Sequence, residues 1–190
     1  LKKMRQQARR MDERGGWDLA VAQSDAEAGR MLEAFFVMKA KRFEEFGLKN
    51  TFELQEVQDF FKALFSPGPA ETKAAFRLDA LLVGGEILAV AGSSMRHRTN
   101  IVEFGAVRAH QPTLSPGDFL FHQMIRRACE SGTQWFDFGV GDEPYKRAWC
   151  DVETQHFETV KGFTARGAAY AQFSKLTGKA KLAIKRNPHL

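Results

Sequence analysis

The 190-residue chain has only two cysteines, Cys129 and Cys150, and their spacing matches neither a zinc site nor the disulfide framework of a secreted domain. A reduced, cytoplasmic setting is the expectation that follows. Five histidines (His97, His110, His122, His156 and His189) are scattered without metal-ligand spacing, so no metal site is expected. No apolar run approaches the roughly 18–20 residues that a membrane span needs. The opening Leu-Lys-Lys-Met-Arg-Gln-Gln has a basic flank with no apolar stretch behind it, which is not the pattern of a secretory signal. An initiator Met is absent too, and the chain reads as a piece of something longer. Acidic residues are missing altogether from 161–190, which carry seven Lys/Arg. Residues 1–14 carry six Lys/Arg against two acids, so with an overall charge of +5 the body between the two ends is left at −6. The basic character therefore belongs to the ends. Such ends can attract phosphates or nucleic acid, and they serve equally as solvated helix faces.

What the chain has in quantity is phenylalanine, 17 residues, so aromatic packing is expected to dominate its core. Hydrophobic residues at 44% and charged residues at 27% give an ordinary globular balance. The length suits one domain with a single sizeable core and is short for two.

Periodicity orders the elements. Residues 2–14 read as a basic helix stopped by Gly15-Gly16, and Trp17 to Ala22 as a half-buried strand. Ser24 and Glu27 stand in capping-box position before a long helix ending at Gly47, with Met31, Leu32, Phe35, Phe36, Met38, Phe43 and Phe46 at helical spacing. Gln55 to Phe65 is a second amphipathic helix with Val57, Phe60, Phe61, Leu64 and Phe65 inward, ended by Ser66-Pro67-Gly68-Pro69. Ala74 to Val83 and Ile87 to Ser94 are strands joined by a Gly84-Gly85-Glu86 hairpin, and Asn100 to Val107 completes an antiparallel meander. A helix follows from Ser115 to Gly132, with Cys129 on its apolar face as a buried, inert thiol. Gln134 to Phe138 is predicted as a short buried strand and Pro144 to Trp149 as a helical turn. Thr154 to Val160 is predicted as another strand and Thr164 to Lys185 as a terminal helix.

Two places concentrate chemistry. Ser115-Pro116-Gly117 opens a helix: Ser115 can cap it, Pro116 suits the first helical position, and Gly117 lets a ligand approach the backbone. Free N–H groups and the helix dipole favour a phosphate at such a point. The second place is the strand end Phe136-Asp137-Phe138-Gly139-Val140-Gly141, followed by Asp142, Glu143, Tyr145 and Lys146. Two acids, a phenol and an ammonium can take a proton, give one, and stabilise developing negative charge. A polar loop with a local ion pair has the same composition. Asp137, on the strand itself, is expected to organise the turn rather than react. Several lookalikes fail. Asp137-Phe138-Gly139 lacks the glycine-rich loop and His-Arg-Asp run of a kinase, and Gly139-Val140-Gly141 lacks the third glycine and downstream acid of a dinucleotide site.

Ser115-Pro116-Gly117 before an amphipathic helix, then Phe136-Asp137-Phe138 running into Gly139, Gly141, Asp142-Glu143 and Tyr145-Lys146, together resemble the CelD-type, FemAB-like branch of the GNAT acetyltransferases. The resemblance spans almost the whole chain. It implies an α+β GNAT fold, a mixed central sheet flanked by helices. It further implies a basic helix over 1–16 connecting from an upstream GNAT domain, and one GNAT-like domain over 17–190. It implies acyl transfer, from acetyl-CoA or another acyl-CoA and without a metal, to an amine acceptor, in polysaccharide or cell-envelope metabolism. Ser115, Pro116, Gly117 and Asp118 would receive the donor pyrophosphate, though only Gly117 remains of the longer glycine-rich signature of the family. Tyr145 would be the general acid, with Lys146 beside it and Asp142 or Glu143 as base. Two alternatives stand next to this reading: a non-catalytic GNAT-like binding module, and a FemAB-like transferase that takes aminoacyl-tRNA as donor.

Overall fold

The computed structural model describes residues 2–66, 76–109, 111 and 113–186, with 179–186 as backbone only. The expected helix stop at Pro67–Pro69 and the first two residues of the expected second strand, Ala74 and Ala75, lie outside the described residues. The chain divides into two compact units, residues 1–148 and 149–190.

In the first unit the order is α1 (Lys2–Asp12), β1 (Trp17–Val21), α2 (Asp25–Glu45), a 3-10 turn (Thr51–Glu53), α3 (Gln55–Phe65), β2 (Phe76–Val83), β3 (Glu86–Arg96), β4 (Thr99–Val107), α4 (Pro116–Glu130) and β5 (Trp135–Asp137). The short helix α5 (Pro144–Trp149) follows, with all but its last residue in this unit. The five strands form one sheet in sequence order. β1 to β4 are antiparallel neighbours, and β5, returned by α4, joins β4 in parallel. The fold is therefore α+β with a mixed sheet, as expected. Gly84 and Gly85 both have positive φ, which is what a two-residue hairpin between right-twisting strands demands.

The sheet carries a layer on each face. On one, α2 and α3 lay Met31, Leu32, Phe35, Phe36 and Phe65 against Leu78, Ala80 and Val90. Phe104 of β4 is the hub of this layer, with its ring 4.4 Å from Phe35 and 5.1 Å from both Phe61 and Phe65. Most of these pairs meet edge to face, the favoured geometry for rings with a negative face and positive rim. Space for the hub comes from Gly92 opposite, where a Cβ would fall closer than 3.0 Å to Cε1 and Cζ of Phe104. About half of the phenylalanines thus form one interlocked cluster on this face. Phe60 departs from the expected pattern: it stands exposed, because Phe61 and Phe65 already occupy the sheet side of α3.

The other face is covered by α1 and α4. Trp17 of β1 meets Phe119 of α4 edge-on at 4.8 Å, and Met4 and Met11 of α1 are buried. Here the sheet holds a buried carboxylate, Asp79, clamped by Arg77 (3.2 Å) and by Arg127 of α4.

Helix ends follow their sequence signals in part. Ser24 Oγ accepts from the Glu27 N–H at 3.3 Å, while the Glu27 carboxylate reaches back to the Gln23 N–H rather than to that of Ser24. Cys129 corrects the expectation of a buried thiol. It is exposed, because Ala128 and Met124 fill the sheet side of α4. β5 is likewise not buried: Trp135 is 59% exposed, since a three-residue strand at the sheet edge has no layer over that side chain.

The second unit contains α6 (Ala165–Arg186), the expected terminal helix. The strand expected over 154–160 does not form. Phe157 is exposed, and the segment pairs with no described strand, so its alternating pattern has no face to bury.

Candidate active site

The site grows from the way β5 leaves the sheet. Its ladder with β4 runs for three pairs, Thr99 with Trp135, Asn100 with Phe136 and Ile101 with Asp137, while β4 itself continues to Val107. Beyond Ile101 the two strands part. Opposite the parting, β4 carries an extra residue, Glu103, where the register with β3 shifts between Gly92 and Ser93.

Three local devices turn the chain after β5. The Asp137 carboxylate accepts from the Gly139 N–H at 2.7 Å, so Asp137 organises the turn as expected. Gly139 takes φ +69, and a Cβ there would stand 3.2 Å from the Val102 carbonyl, so a side chain at this position would be both strained and crowded. Phe138 points inward and packs edge-on against Phe121 of α4 (5.0 Å) and Phe136 (5.1 Å).

α5 then brings Tyr145 back over this cluster. Its ring stacks on Phe121 at 5.6 Å and 14°, with Phe138 at its edge. Phe121 in turn reaches β4 at Gly105, past the point where β5 has left. Tyr145 is therefore seated at the open side of the β4–β5 fork, with 37% of the residue exposed.

Lys146 lies inward and is buried. Its ammonium donates to the carbonyls of Gly139 and Val140, both at 3.1 Å, and pairs with Glu143 at 2.9 Å. An ammonium has three protons to donate, and all three are committed here. Lys146 ties the loop together, and a free catalytic amine would require undoing those bonds. Asp142 pairs with Arg147 at 2.6 Å, on the solvent side. Glu143 also acts on Lys39 of α2. Burial is the main cause that lowers the Lys39 pKa and Arg42 adds to it, while the Glu143 carboxylate opposes them.

At the other expected site, Pro116 occupies the first turn of α4, as predicted. Ser115 does not cap with its side chain. Its own N–H donates to Gln7 Oε1 of α1 at 2.9 Å. Arg10 donates to the Thr113 carbonyl (2.8 Å), and Arg14 to Thr113 Oγ1 (2.8 Å) and Gln111 (3.1 Å). Lys3 pairs with Asp118 at 2.7 Å. Gly117 is explained by packing, since a Cβ would stand 2.9 Å from Val107 Cγ1 at the end of β4. α4 links the two places: Gly117 lies at its start and Phe121, the platform of Tyr145, one turn later.

Three participants escaped the sequence reading. Phe121, on the apolar side of the Ser115–Gly132 helix, carries no signal in the sequence beyond that of a core residue. Glu103, whose carboxylate accepts from Ser94 Oγ at 2.6 Å, is marked by a bulge that leaves no sequence signature. Gln7 stands in a helix whose polar residues gave no sign of reaching residues over a hundred positions away. Among the described residues no group of three His, Cys, Asp or Glu could hold a metal ion, and no helix is long and apolar enough to cross a membrane.

A family model described as an acetyltransferase (GNAT) domain matches residues 1–147. Among solved structures, an aminoglycoside acetyltransferase from an uncultured soil metagenomic sample, in complex with sisomicin, superposes with a TM-score of 0.52 at 14% identity, covering 81% of this chain and 99% of that one. A GNAT family acetyltransferase of Staphylococcus aureus subsp. aureus USA300_TCH1516 gives a TM-score of 0.50 at 10% identity, over 75% of this chain and 97% of that one. At such identities the likeness is one of fold. No curated protein sequence matches. The family model covers 147 of the 190 residues and takes in every strand, the fork between β4 and β5 and the Tyr145 loop: the chain belongs to the GNAT acetyltransferase domain family.

Proposed function

We propose that this GNAT-type N-acyltransferase moves an acyl group, acetyl from acetyl-CoA, to a primary amine by direct attack, with Tyr145 as general acid. The amine nitrogen attacks the thioester carbonyl, the C–S bond breaks, and the leaving thiolate takes the phenolic proton of Tyr145. The proton shed by the new amide nitrogen passes to Asp142 or Glu143, directly or through water. The observation that carries this reading is the placement of Tyr145, stacked on Phe121 at the open side of the fork with its ring part-exposed. Lys146 serves by holding the Gly139–Glu143 loop beneath that phenol. The donor phosphates would take the start of α4 at Ser115, Pro116, Gly117 and Asp118, where the N–H groups of Gly117 and Asp118 accompany the positive end of the helix dipole. A CelD-type role in envelope or polysaccharide chemistry rests on the sequence resemblance alone.

One observation favours a second reading, a GNAT-like module with no donor site. The Ser115 N–H is already bonded to Gln7, Pro116 has none, and Asp118, paired with Lys3, puts a carboxylate in the first turn of α4. The aminoacyl-tRNA alternative rests on the basic ends alone.

Calorimetry with acetyl-CoA, followed by release of CoA thiol over a panel of amines that includes an aminoglycoside, tests the proposal. Tyr145→Phe is expected to retain acetyl-CoA binding and lose about 100-fold in turnover. Equal turnover removes Tyr145 from the mechanism, and an absence of heat with acetyl-CoA establishes the second reading instead.

A further inference from the structure

The sheet face under α4 is not uniformly apolar. Arg77 and Asp79 of β2 point to it, since Asp79 meets Arg127 of α4 there. Cross-strand partners share a face, and the register passes that face from Arg77 to Ser93 of β3 and from Ser93 to Val102 of β4. Asn100, two residues before Val102, points the same way. Gln123 and Arg127, one helical turn apart, come down on these strands from α4.

Ser93 is 0% exposed, Asn100 1% and Gln123 6%. Yet Ser93 Oγ, Nδ2 and Oδ1 of Asn100, Gln123 Oε1 and Arg127 Nε have no hydrogen-bond partner among the described residues. A buried polar atom without a partner has lost its hydration for nothing in return, and folded interiors hold few of them. Five in one helix–sheet interface call for a common partner.

Their chemistry selects it. Asn100 Nδ2 and Arg127 Nε can only donate, Asn100 Oδ1 and Gln123 Oε1 can only accept, and the Ser93 hydroxyl does both. An anion would leave the acceptors unmet and a cation would leave the donors unmet, whereas water serves both. We infer that ordered water is a built-in component of the α4–sheet interface, bridging Ser93, Asn100, Gln123 and Arg127. At roughly three hydrogen bonds per buried water, about two molecules satisfy these atoms. Asn100 also pairs with Phe136 in the short parallel ladder, so the hydrated cluster fastens α4 to the strands at the point from which β4 and β5 diverge. None of this depends on acyl transfer.

The substitution Asn100→Leu reads out the two states with opposite sign. In a hydrated interface it deprives the bridging water of two partners and leaves Ser93 and Gln123 poorly served, so Tm falls by about 2–4 °C or more. In a dry interface it removes two orphaned polar atoms, and a Tm that rises or stays constant overturns the inference. A crystal structure of the unchanged chain decides independently of any variant. Water density about 2.7–3.2 Å from Asn100 and Ser93 is the expected result, and side chains paired directly with one another, with no density between them, overturn it.

Discussion

Tyr145 and Phe121 lie face to face, 5.6 Å between centroids and 14° between planes, although one follows β5 and the other sits in the second turn of α4. The stack holds the phenol by its ring. Phe121→Ala removes the platform without touching the phenol. It is expected to lower turnover about tenfold while leaving acetyl-CoA affinity within about twofold, because the Tyr145 acid would still be present but no longer held in line. Steady-state kinetics beside calorimetry separates the two effects, and an unchanged turnover means the stack has no bearing on the chemistry.

Lys146→Met keeps the length of the side chain and removes the ammonium from the Gly139 and Val140 carbonyls and from Glu143. Hydrogen bonds made by a charged group contribute about 1.5–3 kcal/mol, so urea denaturation is expected to show a loss of that size. The exposed pair Asp142–Arg147 provides the contrast. Arg147→Met is expected to change stability by less than about 1 kcal/mol. Equal effects of the two substitutions would refute a structural role for Lys146.

Gly92→Ala drives a methyl group into the Phe104 ring, the hub shared by Phe35, Phe61 and Phe65. Overpacking of this kind costs about 1–3 kcal/mol. The companion Gly92→Ala, Phe104→Leu double variant, which clears the ring edge, is expected to be less than additive in thermal denaturation. Strict additivity would place the strain elsewhere.

His122 in α4 has its pKa lowered from 6.5, by burial of the imidazole first and by the Arg126 guanidinium second. As pH falls, the unfolded chain therefore takes up this proton before the folded chain does. The stability contribution is complete above the unfolded value near 6.5 and is lost as pH falls through the lowered folded value. Between pH 8 and pH 5, the urea midpoint of the unchanged protein should drop further than that of His122→Asn. Parallel curves would exclude His122 as the source.

Much of this architecture could be read from residue spacing, because amphipathic helices and half-buried strands imprint their periods directly. The Gln55–Phe65 helix and the Gly84-Gly85 turn were both legible for that reason. Edges were less legible. A strand with one neighbour, such as Trp135–Asp137, buries little, and the alternation over 154–160 looks the same whether or not a partner strand exists. Of the candidate site, the cluster from Asp137 to Lys146 was visible as composition. The division of labour within it was not, since only three-dimensional contact shows Lys146 spending its protons on carbonyls and Tyr145 leaning on Phe121. Nor does the sequence show that the Ser115 N–H is held by Gln7, since the two lie 108 residues apart.

That long clasp has a consequence in time. Gln7, Arg10 and Arg14 find their partners only in residues 111–115, so during synthesis α1 leaves the ribosome roughly a hundred residues before its binding groove exists, an interval of about 5–20 s at ordinary elongation rates. Through that interval the methionine-lined side of α1, Met4 and Met11, lacks the part of its cover that α4 supplies. The start of α4 cannot take its final form until this early segment returns to it, which makes the docking of the first helix one of the last events in the folding of the unit.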